Sequence, residues 1–124
     1  MIEAVVFDLD GVLIGAVLDG AGLRECFAVA MSTEEVAHGK PAPDIYLAVT
    51  ARLGHQPQRC AAVEDSANGL RSAAAAGLQV IAVPQPKYPP GADALGLATL
   101  VLPSLTELTP DAVWQLAGES RPVD

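Results

Sequence analysis

The chain has 124 residues, half of them apolar, which is enough for one hydrophobic core, yet no apolar run reaches the roughly 20 residues that span a bilayer. A net charge of −8 argues against a nucleic-acid backbone as partner, because that role needs clustered Lys and Arg. Strand-like sequence follows Met1 directly, and Cys26 and Cys60 form no metal-type spacing, so a cytoplasmic protein with reduced thiols and no membrane segment is expected.

Residues 2–9, IEAVVFDL, read as a buried strand, since Ala4 to Phe7 run without polar interruption. Residues 15–25 are interrupted by Gly and suggest a helix end and a turn; residues 27–31, FAVAM, suggest a short second strand. STEEVAHGKPAP reads as a polar loop. From Asp44 to Leu53, Ile45, Ala48, Val49 and Leu53 share one helical face, and Gly54 ends the helix. Cys60 to Val63 form another buried strand that ends in carboxylates. An Ala-rich helix follows, with Ser66 as N-cap and Gly77 at its C-terminal end. LQVIAVP is a strand stopped by Pro84, the segment from Pro84 to Ala94 a loop, ATLVLPS a last short strand, and a helix begins near Pro110. Strands alternating with helices predict an α/β class with a mostly parallel sheet, whose strand order is not readable from the pattern.

Two carboxylate pairs, Asp8 with Asp10 and Glu64 with Asp65, stand at the carboxyl ends of buried strands, where open α/β sheets bind ligands. One pair alone reads as a solvated strand end or a helix cap. Two pairs on strands that can lie side by side converge on one point. Carboxylates so placed repel unless a cation joins them, and an all-oxygen donor set suits Mg²⁺. Lys40, in a loop stiffened by prolines, can pair with a nucleophilic Asp and neutralise a phosphate oxygen, although taken alone it reads as an exposed solubilising charge. Ser66 and the first amides of its helix can bind an anion, although capping explains Ser66 equally well. His38 and His55 lack a partner pattern and read as surface loop residues; Tyr46 and Trp114 read as core, and Asn68-Gly69 as local packing.

In this order, FDLDGVL, GKPAPD and VEDSANGLRSAAAAGL resemble the haloacid dehalogenase superfamily, in its phosphatase and β-phosphoglucomutase-like branch. The resemblance covers nearly the whole chain and implies a Rossmann-like core with the following roles. Asp8 would be the nucleophile, forming an aspartyl phosphate, and Asp10 the general acid and then base. Lys40 would stabilise the nucleophile and the transferring group. Asp65 would hold Mg²⁺ together with the Asp8 side chain and the Asp10 carbonyl, with Glu64 supporting the metal shell. Asp10 favours phosphoryl transfer, because members that cleave carbon–halogen bonds lack it.

Departures from the family pattern carry their own expectations. Only the residues from Gly11 to Gly39 separate Asp10 from Lys40, so the cap domain, the second core strand and the phosphate-binding Ser or Thr of the branch are missing, with a join near Gly15. A single core domain spanning residues 1–124 is therefore expected. Without a cap, water is not excluded from the site, and hydrolysis of a small phosphorylated metabolite is expected ahead of phosphomutase chemistry. The rivals are a sugar phosphomutase, if the parent carries a cap, and an inactive core serving as a binding or assembly module.

Overall fold

The computed structural model describes residues 2–8 and 31–116. Among the described residues, four strands, β1 (Ala4–Phe7), β2 (Cys60–Glu64), β3 (Gln79–Ala82) and β4 (Leu100–Val101), lie side by side in sequence order, and each pairing is parallel. The described helices are α1 (Asp44–Leu53), α2 (Ala67–Ala76), α3 (Ala92–Leu95) and α4 (Pro110–Leu116). The architecture is the expected parallel α/β sheet. Its strand order puts the two carboxylate-bearing strands next to each other.

Register determines what each strand presents. Ala4 opposes Cys60, Val6 opposes Ala62, and Ala62 opposes Val80. These positions share one face, because side chains alternate along a strand. They form a core with Ile45 and Tyr46 of α1, Leu70, Ala73 and Ala76 of α2, and Ala94 of α3. The opposite face, with Ala61, Val63, Ile81 and Leu102, packs against Leu108 and, from α4, Val113 and Leu116. Burial on both faces explains why β2 reads as an unbroken apolar run, as strands of covered parallel sheets do.

The helix ends follow the sequence signals. Ser66 caps α2, its Oγ accepting a bond from the Gly69 amide at 3.1 Å. Gly54 and Gly77 close α1 and α2 in the left-handed conformation, at φ 76° and 94°. Several boundaries differ from expectation. The segment read as a loop up to Ala94 contains the start of α3, which is too short to display a helical period and is marked only by Gly91 before it and Asp93 in its first turn. A 3₁₀ turn at Thr33–Glu35 lies inside the polar loop. β2 extends through Glu64, while β4 shrinks to two residues. Asp10, Cys26, the join near Gly15, the helix end at 15–25 and residues 27–30 of the expected second strand lie outside the described residues. No helix among the described residues is long and apolar enough to cross a membrane.

Candidate active site

The site is built where β1 and β2 end. The Asp8 amide donates to the Val63 carbonyl at 3.2 Å, which carries the β1–β2 pairing one residue beyond the strand. Asp8 therefore stands opposite Glu64 and shares its face, the face covered by α1 and α2. Asp65 follows at the exit from β2. Ligand atoms of Asp8, Glu64 and Asp65 all lie within 4.8 Å of one another, so the convergence expected from sequence is present for these three.

Lys40 sits among them. Its Nζ donates to Asp8 Oδ1 at 2.7 Å and to Glu64 Oε1 at 2.6 Å. Two features hold the lysine loop. The Ala42 amide closes a turn onto the Gly39 carbonyl, and buried Ser72 of α2 donates its hydroxyl to the Ala42 carbonyl at 2.6 Å. The helix that begins just after Asp65 thus also anchors the loop that delivers Lys40.

Glu64 is 1% exposed, an unusual position for a carboxylate. Its Oε1 accepts from Lys40 and from the Tyr46 hydroxyl. Its carboxylate rests over Gly69, where an added Cβ would overlap Oε2. Asn68-Gly69 is thus local packing, as expected, and the partner it packs against is Glu64. Oε2 is buried with no hydrogen-bond partner among the described residues. Burial pushes Glu64 up to about 7, a rise limited by the bonds and charge of Lys40 and the bond from Tyr46. For Lys40, burial favours the neutral amine, but the hydrogen bonds it donates to Asp8 and Glu64, with their charge, outweigh it and hold the ammonium above the usual lysine range. Burial, and then the charge of Glu64, push the Tyr46 phenol far above its ordinary value, so it remains a donor.

The remaining residues take clear places. Gln85 donates to Asp65 Oδ2 at 2.6 Å. Ser66 lies next to Asp65 with its hydroxyl engaged in the cap. His38, an exposed residue, contacts Asp44 at the start of α1, and His55 contacts Glu3 just before β1; neither is among the residues that converge with Asp8, Glu64 and Asp65. Tyr46, read from sequence as core, is core, and its hydroxyl also reaches the site. A tyrosine rather than a phenylalanine at a buried helical position was the available signal, since a buried hydroxyl needs a partner. Ser72 inside an Ala-rich helix carried the same signal.

The three carboxylates against one ammonium leave the cluster negative. An all-oxygen donor set of this kind, with a buried orphan oxygen in Glu64, fits a hard divalent cation such as Mg²⁺. A cavity of about 410 Å³ opens against Asp8, Glu64 and Asp65, with Val83, Pro84 and Leu105 among its other walls.

Known proteins share both sequence and fold with this chain. Hexitol phosphatase B of Escherichia coli K12 is 39% identical over 97 residues, covering 78% of this chain and 43% of that protein. The plasmid-encoded CbbY protein of Cupriavidus necator is 45% identical over 86 residues, 69% of this chain and 33% of that protein. Among solved structures, a haloacid dehalogenase family hydrolase of Deinococcus radiodurans with bound phosphate and sodium superposes with a TM-score of 0.66 at 37% identity. That match covers 86% of this chain and 48% of the other. CbbY of Rhodobacter sphaeroides in complex with xylulose-1,5-bisphosphate gives a TM-score of 0.59 at 40% identity, over 69% of this chain and 37% of that one. The chain spans less than half the length of each of these relatives. The sequence model of the haloacid dehalogenase-like hydrolases matches residues 14–77, a stretch that takes in Lys40, Glu64 and Asp65 and amounts to just over half of the residues, and this chain accordingly belongs to that family.

Proposed function

We propose that the chain is the core of a Mg²⁺-dependent phosphatase acting on a small organic phosphate, a single core domain joined near Gly15 and without a cap. The observation that carries this reading is the convergence of Asp8, Glu64 and Asp65 within 4.8 Å, with Lys40 bonded to two of them. Its relatives include phosphatases by name, which supports the same reaction class.

Asp8 attacks phosphorus through a carboxylate oxygen, and the bond from phosphorus to the leaving oxygen breaks, giving an aspartyl phosphate. Asp10 gives its proton to that leaving oxygen. It then takes a proton from the water that attacks the aspartyl phosphate, releasing inorganic phosphate and restoring Asp8. Lys40 holds the Asp8 carboxylate in place and neutralises charge on the phosphoryl oxygens as they approach. Asp8 and Asp65, supported by Glu64 and the Asp10 carbonyl, would hold the Mg²⁺, which supplies charge neutralisation when bound. The Ser66 hydroxyl and the amides at the start of α2 add anion binding at the rim.

Hydrolysis of p-nitrophenyl phosphate with and without Mg²⁺, beside Asp8→Asn, tests the reading. Mg²⁺-dependent turnover that Asp8→Asn removes is expected. Turnover equal in the two proteins would overturn the role of Asp8, and no turnover in the unsubstituted chain would overturn the phosphatase reading.

A further inference from the structure

We infer that Tyr46 is a positioning residue, whose hydroxyl fixes the Glu64 carboxylate so that Glu64 in turn holds Lys40 against Asp8. The inference rests on the phosphatase reading for its consequence in catalysis, but not for its geometry. Glu64 Oε1 accepts two bonds at once, from Tyr46 and from Lys40. Lys40 Nζ lies 5.4 Å from the centre of the Tyr46 ring, so the ammonium meets the ring as well as the two carboxylates. Gly69 closes the remaining side, because an added Cβ there would overlap the carboxylate. Glu64 is thus walled by helix below, phenol on one side and ammonium on the other.

The chain of bonds runs Tyr46–Glu64–Lys40–Asp8. Remove the phenol oxygen and Oε1 keeps only the lysine. The carboxylate is then free to turn, and the ammonium loses the fixed acceptor that keeps it beside Asp8. Thr50, one turn along the same helix, supplies the structural comparison. Its hydroxyl is also buried, but it donates only to backbone carbonyls of α1, those of Tyr46 and Leu47.

The sequence makes the test selective, for its lysines are Lys40 and Lys87 and its tyrosines Tyr46 and Tyr88. With ¹⁵N-lysine and ring-labelled ¹³Cζ-tyrosine, each residue gives one signal, and exposed Lys87 and Tyr88 act as internal references. In the unsubstituted chain, without metal or substrate, the Tyr46 ¹³Cζ signal is expected apart from that of Tyr88, and the Lys40 ammonium protons are expected to exchange more slowly than those of Lys87. In Tyr46→Phe, Lys40 exchange should accelerate about tenfold, the size of a lost hydrogen bond to a charged group. The kcat for p-nitrophenyl phosphate should fall by about the same factor, with KM nearly unchanged. Thr50→Val should lower the melting temperature without moving the Lys40 signal. A Lys40 signal in Tyr46→Phe that coincides with that of the unsubstituted chain would overturn the inference. If Tyr46→Phe does not fold, 3-fluorotyrosine incorporation replaces it. This more acidic donor must shift Lys40 by more than Lys87, whose exposed ring contact with Tyr88 is fluorinated as well, and an unmoved Lys40 would overturn the inference equally. Because both signals are read without metal or substrate, an inactive unsubstituted chain overturns the phosphatase reading while the Lys40 signal still decides the role of Tyr46.

Discussion

The molecule contains the same pair of side chains twice. Lys40 lies 5.4 Å from the Tyr46 ring and Lys87 lies 5.6 Å from the Tyr88 ring, so the two cation–ring contacts are nearly equal in geometry. Their surroundings differ in every other respect. Tyr46 is 2% exposed and Tyr88 is 73% exposed. The buried pair is joined by Glu64 and Asp8, whereas the other pair stands in the proline-rich loop after β3. A cation over a ring at an exposed site contributes about 0.5–1 kcal/mol, and the same contact gains weight where water is excluded. What a contact is worth is set by the groups around it.

The largest effects are expected where the buried pair meets the carboxylates. Asp8→Asn should lower kcat for p-nitrophenyl phosphate by roughly 10³-fold or more, as loss of a nucleophile does. Lys40→Met should cost on the order of 10²–10³-fold in the same assay, through lost charge neutralisation. Next comes the cation itself. Mg²⁺ at a hundredfold excess over its dissociation constant should stabilise the chain against urea by about 2.7 kcal/mol, the linkage expected for one site. Chelator should remove that gain and Asp65→Asn should prevent it; equal urea midpoints with and without Mg²⁺ would remove the metal from the comparison.

Gly69→Ala should destabilise the chain by about 1–3 kcal/mol in urea unfolding, through overpacking against Glu64. Alanine's helix propensity favours the substitution by about 1 kcal/mol, so a net gain in stability would show that the Glu64 carboxylate has room to move. The smallest effects belong to the exposed pair. Lys87→Ala and Tyr88→Ala should each change stability by no more than about 1 kcal/mol and leave hydrolysis unchanged. A larger change from either would break the comparison at its exposed end.

Much of this was legible in the sequence for a local reason. A strand that ends in carboxylates, or a helix flanked by Ser66 and Gly77, is decided by neighbours in the chain, and the structure places these elements as read. Strand adjacency was not written locally; the register of Ala4 against Cys60 joins segments 56 residues apart in number. The same holds for the supports of the site. Tyr46 is 18 residues from Glu64, and Ser72 is 30 from Ala42. Each was visible as a polar group at an apolar position, but the acceptor could be named only once the fold brought it near. α3 was missed because four residues show no period, so nothing distinguished them from the loop before them.

Ser72 has one more consequence. By tying α2 to the Ala42 carbonyl, it makes the lysine loop travel with the helix, while Asp8 and Glu64 belong to the sheet. The gap that the Lys40 ammonium must close is therefore set by how closely helix and sheet approach, and between them lie small side chains, Ala62 from the strand and Ala73 from the helix, both fully buried. The alanines act as a gauge. Thickening that layer by a methyl group or two would lift the helix and draw the charge back from the carboxylates, without touching a single ionisable group.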